Sequence, residues 1–209
     1  MVTRTDGSLA AAAAAFIAGG GDIVPRSRGD ALEIRKQSAR LCQWAQKNGC
    51  LTEYTPPINA RRAIGAEHEV FFHEGINRVF KKTRPGAFGS ILTEIGLRRT
   101  ATPYFYLRRL ELTNEFFGSD LRLECVTAGD QTSIVISQPW AYPANPNDPC
   151  PSLDEIYDFM TKLDFEPVAD APFEWFRKLD RVRVSDARPD NFIRSKKGVV
   201  PIDLVVSKE

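Results

Sequence analysis

The first 29 residues show no regular period of hydrophobic positions and are mostly small or polar. An alanine-rich run from Leu9 to Ala18 is about half the length of a membrane span and leads into three consecutive glycines. The segment before the run pairs Arg4 with Asp6, so it lacks the positive bias of a signal peptide. We therefore expect residues 1–29 to form a disordered or weakly helical tail.

A helical pattern follows the tail. Apolar residues recur at helical spacing from Ala31 to Asn48, with Asp30 as a candidate N-cap and Gly49 at the end. Two prolines then interrupt the pattern, so residues 30–57 are predicted to be an N-terminal helix and a linker.

Residues 58–140 are rich in strand-forming positions. Val70–Phe72 and Arg78–Lys81 flank a turn-like segment and predict a β-hairpin. Pro103 opens a predicted helix, which Gly118 ends. Further strands are predicted at 121–126 and 132–137.

Prolines and asparagines mark the clearest boundary in the chain. Five prolines occur from Pro139 to Pro151, both included, a composition that excludes a helix or a central strand, so we predict a hinge or linker at 141–151. The remaining part, 152–209, begins with a capping box formed by Ser152 and Glu155 that predicts a helix of about three turns. Short strands are predicted at 181–184 and 198–202.

Composition and charge indicate which partners and which cellular compartment to expect. The chain has 28 Lys and Arg against 27 Asp and Glu, a formal charge of +1, which gives no strong signal for nucleic acid. Four scattered cysteines form no CxxC pair and favour reduced thiols in a cytoplasmic protein. His68 and His73 cannot form a metal site on their own. We expect a protein without membrane partners.

The residues that suggest a chemical activity lie near the C-terminus. Asp186 is followed five residues later by Asn191, and twelve residues after that by Asp203 at the end of an apolar strand. Phosphoryl transfer uses such a set, because one carboxylate orients the acceptor hydroxyl and takes its proton, while an amide oxygen and a second carboxylate hold Mg²⁺.

The segment Asp186-Ala187-Arg188-Pro189-Asp190-Asn191 resembles the catalytic loop of the protein-kinase-like superfamily. Together with 65–70, 78–81 and 137–140, it is similar to the small kinase-like domains of phage and mobile-element polyvalent proteins. The resemblance implies an α+β, protein-kinase-like fold: an antiparallel β-rich N-lobe with one helix, a Pro/Asn hinge, and a reduced mixed C-lobe. The chain ends six residues after Asp203, so we expect that C-lobe to lack an activation segment.

The resemblance also assigns roles to individual residues. Asp186 matches the catalytic base, and Arg188 stands beside it in the catalytic loop. Asn191 and Asp203 match the metal ligands. Lys81 matches the strand lysine that holds the α and β phosphates, and it is preferred to Lys82 because it shares a strand face with Val79.

Further nucleotide contacts follow from the same resemblance. Gly65 lies in the nucleotide-covering loop, and Val79 belongs to the face that should cover the adenine. Gln138 and Trp140 lie where the family's adenine-contacting hinge is found. Glu111 on the predicted helix is the candidate partner of Lys81, with Glu115 as a rival.

Two hypotheses remain open at this point. The first is an ATP- and Mg²⁺-dependent phosphotransferase acting on an unidentified hydroxyl of a protein or small molecule. The second is an inactive nucleotide-binding or interaction module, which the single glycine of the covering loop and the reduced C-lobe favour. Such a module could also be part of a larger polyvalent protein.

Overall fold

The computed structural model describes residues 9–17, 31–56, 59–73, 75, 77–92, 98–129 and 131–208. The helices are α1 (Leu9–Ile17), α2 (Ala31–Lys47), α3 (Pro103–Phe117) and α4 (Leu153–Thr161). The strands up to the proline-rich segment are β1 (Arg61–Ile64), β2 (His68–His73), β3 (Arg78–Thr83), β4 (Ser90–Leu92), β5 (Arg98–Thr100), β6 (Arg122–Thr127) and β7 (Ser133–Pro139). Those after it are β8 (Glu166–Pro167), β9 (Trp175–Arg177), β10 (Val182–Ser185), β11 (Phe192–Ser195), β12 (Gly198–Pro201) and β13 (Val205–Lys208). The arrangement is a mixed α/β structure with antiparallel sheets, compatible with a kinase-like fold.

A five-stranded antiparallel sheet in the order β1-β2-β3-β7-β6 forms the first half. The predicted hairpin is β2 and β3, and β3 is central because it pairs with β2 on one side and β7 on the other. Side chains of β3 alternate between half-buried and buried, so Val79, Lys81 and Thr83 face the interior.

Helix α3 contributes to two hydrophobic clusters. Leu107 and Leu110 pack in the cluster that includes Leu123 and Ile136 of the five-stranded sheet. Leu112 lies on another side of the helix and belongs to a second cluster, formed mainly by the C-terminal elements. The predicted ends of α3 are confirmed, since Pro103 lies in its first turn and Gly118 caps it with a positive φ of 60°. This helix therefore packs against both halves of the structure.

The second half consists of a four-stranded sheet in the order β13-β10-β9-β8, the hairpin β11-β12, and α4. The predicted capping box of α4 is present, with Ser152 and Glu155 bonded reciprocally. The predicted linker 141–151 lies against β11, because the main chain of Arg194 bonds to that of Ala144 and Pro149.

Residues 9–17 of the predicted tail are helical, as one of its two expected forms, but this helix packs in the core instead of standing apart from it. These residues form α1, and its Leu9, Ala12 and Ala13 are buried in the same cluster as the leucines of α3. Alanine has the highest helix propensity, and the three residues share one face of the helix at i, i+3 and i+4. Their small size allows the helix to pack closely. The other residues of the predicted tail lie outside the described part of the chain.

Within the described residues, no helix combines the length and the hydropathy needed to cross a membrane.

Candidate active site

The loop between β10 and β11 carries the predicted catalytic residues. Asp186 follows β10 directly and has a positive φ of 61°. Pro189–Asn191 then forms a single 3₁₀ turn. The side-chain amide of Asn191 donates a hydrogen bond to the main-chain oxygen of Asp186 (2.7 Å), which closes the loop. The spacing of five residues therefore brings the Asn191 side chain to the main chain of Asp186.

The β11-β12 hairpin returns the chain to the same loop. After β12, the main-chain N–H groups of Ile202 and Asp203 both donate to the main-chain oxygen of Asn191 (2.9 and 3.4 Å). Asn191 is buried, and its amide nitrogen is used by Asp186, so the amide oxygen is the atom that remains for a ligand. Asn191 and Asp203 are thereby held next to each other.

The side chain of Lys81 extends from the five-stranded sheet to Asp203. Its ammonium donates to the main-chain oxygen of Ile202 (2.6 Å) and lies 3.8 Å from Oδ1 of Asp203. Burial lowers the pKa of Lys81, and the Asp203 carboxylate opposes that shift. Lys82 has the opposite orientation and borders another cavity, on the outer face of β2 and β3. The prediction that Lys81 rather than Lys82 faces the site agrees with this geometry.

The cleft enclosed by these elements has a volume of about 500 Å³. Six of the residues predicted from the sequence line it: Gly65, Lys81, Asp186, Arg188, Asn191 and Asp203. Within the loop between β10 and β11, the guanidinium of Arg188 contacts Asp186 (2.9 Å) and Asp190 (3.4 Å). Arg188 thus contacts the carboxylate for which the resemblance implies the role of base.

The predicted adenine contacts are less closely grouped. Gln138 borders a small adjoining cavity together with Lys81 and Asp203. Val79 is buried on the face of β3 that carries Lys81 and pairs with Gln138 across the sheet. Trp140 packs on the ring of Phe72, with 4.2 Å between the centroids, and is not among the described residues that line the cleft. Roles in adenine binding stay predictions for these three residues.

Glu111 is not brought to Lys81, so the predicted pairing is wrong. Its carboxylate accepts from Arg108 (2.9 Å) instead, and its rival Glu115 is exposed. The reason is helical geometry, because successive residues turn by 100° and Glu111 therefore lies about 200° around α3 from the residue that faces the cleft. That residue is Arg109.

Arg109 is a site residue that was not predicted from the sequence. Its Nη1 donates to both oxygens of Glu67 (2.9 and 3.2 Å), and its Nη2 donates to Oδ1 of Asp203 (3.2 Å). The side chain is only 4% exposed. The one available signal was its place on the buried stripe of α3 with Tyr106 and Thr113, where an arginine is unusual.

The charged groups in the cleft shift one another's pKa values. Packing around Asp203 works to raise its pKa, but the positive charges of Lys81 and Arg109 outweigh this and hold the pKa below its usual value. Burial and the charge of Lys81 lower the pKa of His68 to about 3, so this imidazole is neutral at pH 7. His68 Nε2 shares a hydrogen bond with the hydroxyl of Tyr106 (2.9 Å).

Oxygen ligands for a divalent cation are available at two places. Asn191 and Asp203 offer an amide and a carboxylate oxygen, the ligand type that Mg²⁺ prefers, and they fit such an ion by their chemistry. Glu67, His68 and Asp203 also place ligand atoms within 4.8 Å of one another. In that second group, the guanidinium of Arg109 already bridges the two carboxylates.

Comparison with known proteins agrees with this geometry. A family model described as a serine/threonine/tyrosine kinase found in polyvalent proteins matches residues 34–208, most of the chain. No curated protein and no solved structure matched the chain. The matched range contains every predicted site residue, and it confirms the family that the catalytic loop indicated. The chain belongs to the kinase family found in polyvalent proteins.

Proposed function

We propose that the chain is an ATP- and Mg²⁺-dependent kinase that transfers the γ-phosphoryl group to a hydroxyl acceptor. The observation that supports this is the convergence of Lys81, Asp186, Asn191 and Asp203 on one cleft. Family membership supports phosphotransfer in general, and the arrangement of these four side chains supports the particular reaction.

Each of these residues has a separate role in the proposed phosphoryl transfer. The acceptor oxygen attacks the γ-phosphorus, the bond to the departing ADP oxygen breaks, and Asp186 takes the hydroxyl proton. Asn191 and Asp203 are the residues that would hold the Mg²⁺ of the nucleotide. When bound, that ion neutralises charge on the phosphate oxygens.

Lys81 binds the α and β phosphates in this proposal. Its ammonium has three donors, and the main-chain oxygen of Ile202 takes one of them. The other donors remain for phosphate. Arg188 lies 2.9 Å from Asp186 and keeps that carboxylate in place beside the acceptor.

Transfer of label from γ-labelled ATP in the presence of Mg²⁺ tests the proposal. We expect Asp186→Asn to reduce transfer by about 10²–10⁴-fold, the usual contribution of a general base. Asp203→Asn should also lose activity and should need more Mg²⁺. Asp190→Asn is the matched control, because Asp190 lies in the same loop with an exposed carboxylate. Transfer by Asp186→Asn at the rate of the unchanged protein would refute the assigned base.

A second candidate function is a nucleotide-binding or interaction module without transfer. The ion pair between Arg109 and Asp203 favours it, because an arginine on Oδ1 of the metal-binding carboxylate competes with a metal ion for that oxygen. In that case ATP should raise the melting temperature through binding alone, and no label should move to any acceptor. Autophosphorylation that depends on Asp186 would eliminate this candidate.

A further inference from the structure

Arg109 lies at the centre of a row of four charged side chains. The row runs from Glu67, which follows Gly65 by two residues, through Arg109 on α3 and Asp203 after β12, to Lys81 on β3. It therefore joins the nucleotide-covering loop, a helix and the metal-binding carboxylate. The resemblance implied a carboxylate on this helix, and the helix instead presents a cation.

Both cations contact the same oxygen of Asp203. Arg109 Nη2 and Lys81 Nζ lie 3.2 and 3.8 Å from Oδ1. The second oxygen of that carboxylate is left for another ligand. Because the side chain of Arg109 is buried, its position is set by its ion pairs and by packing and not by contacts with water.

Glu67 is itself held by hydrogen bonds. Its Oε1 accepts from the main-chain N–H of Ser90 (3.3 Å), and its own main-chain oxygen accepts from Arg84 N–H (3.2 Å). Two carboxylates are needed to balance a buried guanidinium and a buried ammonium. The arrangement supplies both, so Arg109 is fixed at one end by Glu67 and acts at the other end on Asp203.

We propose that Arg109 is a positioning residue for the metal-binding carboxylate. Held by Glu67, it binds Oδ1 of Asp203 and fixes the orientation of this carboxylate, whose other oxygen would remain for a divalent ion. This inference rests on the proposed function. Groups that orient a metal ligand in this way typically contribute 10–100-fold to metal affinity.

The test measures metal dependence without turnover. The melting temperature of the full chain is followed at a fixed ATP concentration while MgCl₂ is titrated, and direct binding of Mn²⁺ with ATP is followed by electron paramagnetic resonance. We expect Arg109→Gln to raise the half-maximal Mg²⁺ concentration about tenfold or more. Arg109→Lys keeps one charge but cannot bridge two carboxylates, so it should fall between Arg109→Gln and the unchanged protein.

Arg108→Gln is the matched control on the same helix, because Arg108 is 40% exposed and pairs only with Glu111 among the described contacts. It should leave the Mg²⁺ requirement within about twofold. Glu67→Gln tests the other end of the row. It frees Arg109 to take both oxygens of Asp203 and should also raise the requirement. The double variant of Arg109 and Glu67 should be no worse than Arg109→Gln alone, since the two residues act as one unit.

Each outcome decides the question. An unchanged Mg²⁺ requirement in Arg109→Gln overturns the positioning role, and a lowered one overturns it in favour of competition between Arg109 and the metal ion. If Arg109→Gln does not fold, Arg109→Lys and Glu67→Gln carry the same test. An unchanged protein that shows no response to Mg²⁺ and ATP refutes the proposed function itself, before any variant is compared.

Discussion

Gly89 lies directly against the carboxylate of Glu67. A Cβ atom at position 89 would overlap that carboxylate, so no larger residue fits while Glu67 keeps its place. The backbone of Gly89 also has a positive φ of 76°, which glycine adopts without strain. The arrangement of the site therefore depends on Gly89, which lies outside the motifs recognised in the sequence, because Glu67 in turn holds Arg109.

Gly89→Ala should weaken binding of ATP with Mg²⁺ by displacing Glu67. Gly49→Ala is a well-matched control, since Gly49 has a similar φ of 69° and a methyl group there would meet no other atom within 4 Å. Both changes should cost roughly 1–2 kcal/mol of stability from backbone strain. Only Gly89→Ala should reduce the thermal shift given by ATP and Mg²⁺. Equal loss of that shift in both variants would contradict the steric argument.

The ion pair of Glu155 with Arg194 should make stability depend on pH in acid. Hydrogen bonds from the Arg194 guanidinium and from the Ser152 main chain lower the pKa of Glu155 from 4.5 to about 2. A lowered pKa means that the stabilisation is complete above about pH 4.5 and is lost as pH falls towards 2.

Glu155→Gln should flatten the fall of unfolding free energy between pH 4.5 and 2, measured by urea denaturation at a series of pH values. Glu166→Gln serves as the control, because the ion pair of Glu166 with Lys178 is exposed. Equal flattening by both variants would show that the Arg194 interaction is not the cause.

Cys125 should react slowly with alkylating reagents. Burial, together with the negative charge of Glu124, raises the pKa of its thiol to about 12. At pH 8 only roughly one molecule in 10⁴ then carries the reactive thiolate. Mass spectrometry after iodoacetamide treatment should find Cys150, which is half-buried, modified well before Cys125. In urea the two rates should converge, and equal rates in the native protein would contradict the burial of Cys125.

Local geometry explains which parts of the site could be predicted from the sequence. Asp186 and Asn191 belong to one loop closed by their own hydrogen bond, and the β11-β12 hairpin brings Asp203 back to it. Strand alternation was enough to orient Lys81. Each of these relations depends on short spacing or on a strand period, which a sequence displays directly.

Contacts between distant segments could not be predicted in this way. Glu67 and Arg109 are 42 residues apart, and their pairing depends on how α3 packs on the sheet. The same packing turns Glu111 away from Lys81. The packing of helix α1 could not be predicted for a related reason, since an alanine-rich run has no apolar period and this helix packs in the same cluster as the leucines of α3.

Substitutions in α1 test whether residues 9–17 are part of the core. Ala12 is fully buried and Ala14 on the same helix is exposed, so the pair separates burial from helix propensity. Ala12→Asp should destabilise the protein by at least about 2 kcal/mol, because it buries an unpaired charge. Ala14→Asp should cost less than about 1 kcal/mol, the difference in helix propensity between the two residues. Urea denaturation of both variants measures these effects, and equal, small losses would mean that this segment does not pack against α3.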